Sequence, residues 1–193
     1  MFRLLVPGLT LAILVLTPTT TSAATVAWVG DSHSQALCPR IGPVLVESGH
    51  EFTCTARPGW STASFIRNRG WLQTITSDTD VVVVSLGGNN HRPVALYKQD
   101  LDRMVLLLRQ RSPGAFIVWY GPAFATRQDV LHRHITTVTY QEGLLPFMGV
   151  QWFSTVNMTS DLRLRRGGVH FNTESYNIWS HRLLNHLADL LDD

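Results

Sequence analysis

The sequence predicts an α/β protein: a three-layer α/β/α sandwich around a mostly parallel, flavodoxin-like sheet of about five strands. Two observations carry this prediction. Short apolar segments alternate along the chain with amphipathic segments of helical length, which is the pattern of a parallel sheet with crossover helices. The segment 81–86, VVVVSL, is apolar rather than alternating, so we expect a central strand that is covered on both faces.

The predicted strands and helices follow one another in a regular order. We expect strands at residues 26–29, 51–56, 81–86, 116–120 and, on a weaker pattern, 150–155. We expect helices at about residues 34–48, 62–69, 97–111, 128–145 and 173–191, and a polar, arginine-rich loop at 157–168. No internal repeat or linker interrupts this order, so residues 25–193 are predicted to form one domain.

The first 24 residues have the pattern of a secretory signal. Arg3 precedes an apolar run, Leu4 to Leu16, and the small residues Ser22, Ala23 and Ala24 suit a cleavage site. The apolar run is shorter than the roughly 20 residues that a transmembrane helix needs. We therefore expect a secreted or periplasmic protein with no stable membrane insertion after the signal is removed, the alternative being an uncleaved N-terminal anchor.

Charge, cysteine content and histidine spacing indicate which partners, disulfides and metal sites to expect in this chain. Loss of Arg3 would lower the formal net charge from +2 to +1, which does not suggest a nucleic-acid partner. Cys38 on the first helix and Cys54 on the next strand are expected to form a disulfide in an oxidising compartment, the alternative being two buried free thiols. His132 and His134 do not share a helix face. We expect a monomer with no metal and no cofactor.

Polar residues follow the predicted strands at one edge of the sheet. In open parallel sheets, ligands bind outside the carboxyl ends of the strands. Residues 31–33 (DSH), 58–60 (PGW) and 88–91 (GNNH) occupy such positions, and 169–170 (VH) precede the last helix. A serine, a glycine, an asparagine and a histidine thus arrive at one rim. Taken alone, Asp31 and Ser32 fit a helix cap as well as a catalytic turn.

This ordered set resembles the SGNH (GDSL-like) hydrolase superfamily. The matching residues are Gly30-Asp31-Ser32, Gly59, Gly87-Gly88-Asn89-Asn90 and Val169-His170. The resemblance implies that Ser32 is the nucleophile of an ester hydrolase and that His170 is its general base. It also implies an oxyanion hole formed by the backbone N–H groups of Ser32 and Gly59 and the side-chain amide of Asn89. Neutral donors and close backbone approach suit the charge that develops in acyl transfer.

The sequence departs from the family's pattern at two positions. Asn90 stands where the family commonly has aspartate. Gly167 stands three residues before His170, where the family usually has the aspartate that orients the histidine. Two replacements are open: a backbone carbonyl of Gly167, which we favour, or the carboxylate of Asp161. A third interpretation is that the site is impaired.

Several neighbouring residues are candidates for substrate binding. Trp60, Asn90, His91 and Arg166 are expected to contribute, although tryptophan more often packs in a core and loop arginines are more often solvated. The expected substrate is a small-molecule or glycan ester, with an acyl group such as acetyl on a carbohydrate of the cell envelope. An O-acyltransferase that uses the same residues is one alternative. The other is a non-catalytic glycan- or partner-binding module on a decayed hydrolase fold.

Overall fold

A computed structural model describes residues 23–191 of the chain. The predicted signal segment, residues 1–24, lies almost entirely outside the described residues, so both the signal and the division of the chain into a signal and one domain stay predictions. None of the helices between residues 23 and 191 has the length and apolar character that crossing a membrane requires.

Five parallel strands form the centre of the molecule. They are β1 (Thr25–Gly30), β2 (Glu51–Ala56), β3 (Val81–Ser85), β4 (Phe116–Tyr120) and β5 (Gln151–Phe153). Their order across the sheet is β2-β1-β3-β4-β5, with every neighbouring pair parallel. This order is the flavodoxin-like arrangement. The predicted fold class is therefore confirmed.

Helices cover both faces of the sheet. They are α1 (Ser32–Glu47), α2 (Thr62–Arg67), α3 (Val94–Arg111), α4 (Gln128–Leu144), α5 (Thr155–Thr159) and α6 (Thr173–Leu191), with short 3₁₀ turns at Arg69–Thr74 and Pro146–Met148. Ala27 and Val29 point into the core beneath α2 and α3, whereas Val26 and Trp28 point into the core beneath α1 and α6. Alternate residues of a buried strand thus supply two separate cores.

The helix bounds differ from the expected ones in three places. α1 begins at Ser32 rather than near residue 34, because the Asp31 carboxylate accepts from the His33 N–H and caps the helix earlier. α3 begins at Val94. The short helix α5 replaces the start of the expected loop, since the Thr159 hydroxyl accepts from the Phe124 N–H and ties this segment to the chain after β4.

The predicted disulfide is present between Cys38 of α1 and Cys54 of β2. Their Cα atoms lie 6.4 Å apart, within the ordinary range for a bridge. The bond joins the first helix to the edge strand of the sheet, which confirms the pairing expected from the sequence.

Candidate active site

The candidate site lies where the strand order reverses. From β1 the chain crosses to β2 on one side, and from β3 it crosses to β4 on the other, so the carboxyl ends of β1 and β3 flank a crevice. Ser32 follows β1 and Asn89 follows β3. The loops that carry the sequence candidates therefore meet at the place where open α/β sheets bind ligands.

Ser32 is the first residue of α1 and comes directly after a tight turn from β1. A side chain at Gly30 would collide with the Ser34 hydroxyl, so only glycine lets the chain turn this sharply into the helix. Ser32 stands half-buried at the N-terminus of the helix, where backbone N–H groups point outward and favour negative charge.

A short hairpin presents His170. Leu164 and Phe171 form an antiparallel bridge, and the Arg165 N–H donates to the His170 carbonyl oxygen at 2.7 Å. The hairpin also contacts the loop before α4, because the Thr126 N–H donates to the Gly168 carbonyl oxygen at 2.9 Å. Backbone hydrogen bonds thus fix the segment from which the His170 ring projects.

Ser32 and His170 are in direct contact. The Oγ atom of Ser32 lies 2.9 Å from Nε2 of His170, across 138 positions of sequence. Partial burial lowers the pKa of His170, and the nearby Arg165 cation lowers it further. The imidazole is therefore neutral at pH 7, and its Nε2 lone pair is able to accept the serine proton.

Neither sequence candidate for orienting His170 contacts its other nitrogen. Asp161 instead binds Arg182, with oxygen to nitrogen distances of 2.8 and 2.7 Å, and its role as a third triad member stays a prediction. Among residues 23–191, no backbone or side-chain group accepts a hydrogen bond from Nδ1 of His170, the Gly167 carbonyl included. The ring lies instead against that of His33, with centroids 5.3 Å apart.

The loop that carries the expected oxyanion-hole donor Gly59 lies beside the end of β1, since the Arg57 N–H donates to the Gly30 carbonyl oxygen at 2.8 Å. Gly59 has a φ of +75° in a turn closed by the Trp60 N–H donating to the Arg57 carbonyl oxygen at 3.1 Å. This left-handed conformation favours glycine. Within the described part of the chain, the N–H groups of Ser32 and Gly59 donate to no acceptor, which leaves both available to a ligand.

Asn89 links the two loops that carry those N–H groups. Its Nδ2 atom donates to Asp31 Oδ2 and to the Trp60 carbonyl oxygen, each at 3.3 Å. Asp31 precedes Ser32, and Trp60 follows Gly59. The amide therefore lies between both donors, and one of its two weak hydrogen bonds must yield if Asn89 is to donate to an oxyanion.

Two titratable groups are buried behind the serine. Burial raises the pKa of Asp31 to about 7, even though the His33 N–H donates to its carboxylate. Burial lowers the pKa of His33 to about 3, and its Nδ1 lies 2.9 Å from the Tyr176 hydroxyl. His33 is therefore a neutral ring in the wall of the site.

Two cavities flank the Ser32–His170 pair. The first, which we call the α4 cavity, has a volume of about 300 Å³. It is lined by Asp31, Ser32, His33, Gly88, Asn89, His91, Arg127, Asp129, Val130, Arg133, His134, Val169 and His170. The second, the α1 cavity, has about 460 Å³ and is lined by Ser32, Gln35, Ala36, Pro58, Arg165, His170 and Tyr176. A substrate ester at Ser32 thus has room on both sides.

The four predicted substrate-binding residues take different places. His91 lines the α4 cavity. Trp60 lines neither cavity, since its ring packs edge-on against Phe65 with centroids 5.1 Å apart. Asn90 is buried, and its side chain accepts from the Arg92 N–H at 3.1 Å. Arg166 is exposed and lines neither cavity, whereas its neighbour Arg165 lines the α1 cavity.

Sequence reasoning missed the contribution of α4. Arg133 and His134 both lie against the Gly88 carbonyl oxygen, with Nε of Arg133 at 3.4 Å and Nε2 of His134 at 3.2 Å. They hold the residue that precedes Asn89. The available signal was positional: α4 follows β4, so its first turns start at the same rim of the sheet as the other loops.

No metal centre is formed by the described residues. Between residues 23 and 191, no group of three or more His, Cys, Asp or Glu side chains is placed to hold a metal ion.

Solved structures of ester hydrolases share this fold. A lipase/acylhydrolase from Enterococcus faecalis superposes with a TM-score of 0.69 at 14% identity, covering 86% of this chain and 96% of its own. An extracellular lipase from Streptomyces rimosus gives 0.65 at 15% identity, covering 85% and 99%. A carbohydrate esterase of family 3 from Talaromyces cellulolyticus gives 0.66 at 17% identity, covering 87% and 98%.

These matches span nearly the whole described domain. No protein-family model matches the sequence, and no curated protein sequence is significantly similar to it. The chain has the fold of the SGNH (GDSL-like) hydrolases, and the resemblance seen in the sequence is confirmed at the level of the fold. At identities of 14–17%, these similarities establish the fold alone.

Proposed function

We propose that this chain is an exported serine esterase that removes short acyl groups, such as acetyl, from a carbohydrate. The observation that carries the proposal is the 2.9 Å contact between Ser32 Oγ and His170 Nε2 at the strand-order reversal. A hydroxyl and a neutral imidazole at this distance form an activated nucleophile. The fold shared with lipases and carbohydrate esterases supports the same reaction class.

The acylation half of the reaction follows from this geometry. Ser32 Oγ attacks the ester carbonyl carbon while its proton passes to Nε2 of His170. The carbonyl oxygen becomes an oxyanion that the N–H groups of Ser32 and Gly59 stabilise, together with the Asn89 amide. The C–O bond to the alcohol then breaks, and His170 returns the proton to the leaving oxygen, which leaves an acylated serine.

Deacylation repeats these steps with water. His170 takes a proton from a water molecule whose oxygen attacks the acyl carbon, and the same donors stabilise the second oxyanion. The bond to Ser32 Oγ breaks, and the serine recovers its proton from His170. The free carboxylic acid leaves, and neither a metal nor a cofactor is needed.

The reaction is assigned to a serine–histidine dyad. Asp161 is engaged with Arg182, and Gly167 has no side chain to contribute. The neutral His33 ring packed against His170 keeps the base in place. A dyad without a carboxylate loses the charge that stabilises the imidazolium during the reaction, so we expect a slower enzyme than a full triad would give.

The lining of the α4 cavity supports a polar substrate. Among its described lining residues, only Val130 and Val169 have aliphatic side chains. A long acyl chain requires a mainly apolar pocket, whereas hydroxyl-rich alcohols suit histidine, asparagine and arginine side chains. The proposal therefore places a short acyl group at Ser32 and a carbohydrate along the cavity.

Export is proposed on two grounds. The predicted signal in residues 1–24 directs the chain out of the cytoplasm. The disulfide between Cys38 and Cys54 belongs to an oxidising compartment.

The decisive test replaces the nucleophile. Ser32→Ala should lower the rate of 4-nitrophenyl acetate hydrolysis by at least about 10³-fold while leaving the melting temperature unchanged. Glu47→Gln, a change at the exposed last residue of α1 that lines neither cavity beside Ser32, serves as the control. A Ser32→Ala protein that keeps most of its activity would refute the assignment.

Two further experiments distinguish the esterase from its alternatives, a non-catalytic binding module and an O-acyltransferase. A fluorophosphonate probe should label Ser32 in the wild-type protein, whereas a non-catalytic binding module would not react. An O-acyltransferase would transfer the acyl group to an added sugar in preference to water. We expect water to be the acceptor, because the structures that share this fold include an acylhydrolase and a carbohydrate esterase.

A further inference from the structure

A third cavity extends the site beyond the α4 cavity. This outer cavity has a volume of about 330 Å³ and lies between the start of α3 and the middle of α4. His91 and Arg133 line both the outer cavity and the α4 cavity. The two cavities are therefore adjacent, with Arg133 at their boundary, and we call the two together the groove.

The arginines along this groove differ in how their charges are balanced. Arg92 binds both carboxylate oxygens of Asp100, at 2.7 and 3.0 Å, and Arg127 forms an ion pair with Asp129. Arg133 forms no ion pair with any residue between 23 and 191. Its Nε donates to the Gly88 carbonyl oxygen at 3.4 Å, and its two terminal nitrogens donate to no described residue.

A guanidinium that is held by its Nε atom, with both terminal nitrogens free to donate, is a binding site for a carboxylate or a phosphate. The hydrogen bond from Nε and the partial burial of Arg133 orient the group, so little conformational entropy is lost on binding. A carboxylate fits the planar fork with two parallel hydrogen bonds. The groove also contains side chains that hydrogen-bond hydroxyl groups, among them His91, Thr136 and Tyr140. Its aliphatic lining residues are Val94, Val130 and Val169.

We propose that the groove binds an acylated acidic sugar, of the uronic-acid type, whose carboxylate is held by Arg133 while its ester reaches Ser32. This inference deepens the proposed function and rests on it. An anionic phospholipid fits less well, because its acyl chain would have to enter the polar α4 cavity. A phosphorylated sugar is also anionic, but its phosphate is tetrahedral and carries about −1.5 to −2 charges at pH 7. The experiment includes a phosphate ester to distinguish it.

The test compares matched acetyl esters. Methyl glucuronide and methyl glucoside carrying the same acetyl group differ only in a carboxylate against a hydroxymethyl group, and a 6-phosphate ester of the glucoside is the third substrate. We expect kcat/KM to be at least about 10-fold higher for the uronate than for the neutral sugar. This ratio corresponds to the free energy that one hydrogen bond to a charged group contributes. Arg133→Gln should bring that ratio close to one, and Arg133→Lys should leave an intermediate ratio, because lysine keeps the charge without the fork.

Two variants serve as controls. Arg103→Gln makes the same charge change at an exposed position of α3 that lines none of the three cavities, and it should leave the ratio unchanged. Arg165→Gln tests the cation in the α1 cavity. The proposal is overturned if the wild-type protein shows no preference for the uronate, if the phosphate ester is preferred to it, or if Arg165→Gln rather than Arg133→Gln removes the preference.

A binding measurement keeps this inference separate from the catalytic one. Titration of the acetylated uronate into the Ser32→Ala protein, followed by calorimetry, should show binding that Ser32→Ala combined with Arg133→Gln weakens about 10-fold. If the wild-type protein hydrolyses no ester but this Arg133-dependent binding is seen, the proposed function fails and the anion site stands. If neutral esters are hydrolysed and no such binding is seen, the anion site fails alone.

Discussion

Asp161 binds Arg182 through both carboxylate oxygens, at 2.8 and 2.7 Å, in an exposed pair that links the loop before His170 to α6. The guanidinium lowers the pKa of Asp161 to about 2. This carboxylate is ionised at pH 7 and satisfied by its partner. The Asp161 carboxylate is thus engaged in a structural contact with α6 and makes no hydrogen bond to His170.

Asp161→Asn is therefore expected to leave kcat/KM for 4-nitrophenyl acetate within about 2-fold of wild type. It should lower the free energy of unfolding only slightly, because solvent screens exposed ion pairs. Steady-state kinetics and urea denaturation measure the two effects. A loss of 100-fold or so in activity with unchanged stability would instead make Asp161 the third catalytic member.

Gly167→Asp is expected to raise kcat. A Cβ atom at Gly167 would meet nothing within 4 Å, and this glycine is not among those with positive φ, so aspartate fits the backbone. A carboxylate three residues before His170 stands where SGNH hydrolases usually have their orienting acid. We expect an increase of about 10-fold in kcat for 4-nitrophenyl acetate with KM little changed.

The matched control for that variant is Gly167→Asn, which has the same size without the charge and should stay near the wild-type rate. Equal rates for the two variants would show that a carboxylate at this position does not reach His170.

The rate should depend on pH through His170. The imidazole must be neutral to accept the serine proton, so kcat/KM rises as the pH rises through its pKa. Burial and Arg165 hold that pKa below the ordinary 6.5, and the acid limb should therefore lie below pH 6.5. Arg165→Gln removes the cation and should move the limb to higher pH, whereas Arg166→Gln, at an exposed neighbour outside both cavities, should not. The opposite ranking of the two variants would contradict the assignment of His170 as the base.

Asp31→Asn should change how stability depends on pH. The pKa of this buried carboxyl is raised from 3.8 to about 7, so the folded protein keeps a proton that the unfolded chain loses. Its stabilising contribution is complete below about pH 4 and is lost as the pH rises to about 7. Asparagine has no such titration and still offers an oxygen to cap α1.

Relative to wild type, Asp31→Asn should therefore gain stability between about pH 4 and pH 8, by an amount on the order of 1–4 kcal/mol. Urea denaturation at the two pH values measures the gain. Parallel pH dependence of the two proteins would show that Asp31 is ionised in the folded state at both.

Removal of the disulfide should destabilise the fold. Cys38 and Cys54 are 16 positions apart, and opening a loop of that size costs about 3 kcal/mol in the chain-entropy model. The double variant Cys38→Ser with Cys54→Ser should melt several degrees lower than the oxidised wild type. Reducing agent should lower the melting temperature of the wild type only. If the double variant is as stable as the oxidised protein, the packing of α1 on β2 stabilises the fold without help from the disulfide.

Local patterns in the sequence predicted most of the architecture. The apolar run that became β3 predicted a central parallel strand, and the rule that parallel sheets bind ligands at their carboxyl ends predicted that Ser32, Asn89 and His170 share a rim. The roles of these residues in catalysis stay predictions until activity is measured.

Other features depend on tertiary packing that no local pattern specifies. Asp161 and Arg182 lie on separate elements, and their pairing depends on how the loop before His170 sits on α6. Arg133 lies on α4 and contacts the Gly88 carbonyl oxygen in the loop after β3, which is 45 positions away in the sequence. The helix α5 forms inside a polar segment because buried threonine hydroxyls bind backbone groups near the end of β4.

Ser32 and His170, the two residues of the candidate dyad, are 138 positions apart in the sequence. Ser32 begins the first helix, α1, and His170 lies in the hairpin before the last helix, α6. A partly folded or interrupted polypeptide cannot bring them together. Turnover of a chromogenic ester would therefore report the completion of folding, and it offers a simple assay for refolding yield in any variant of this protein.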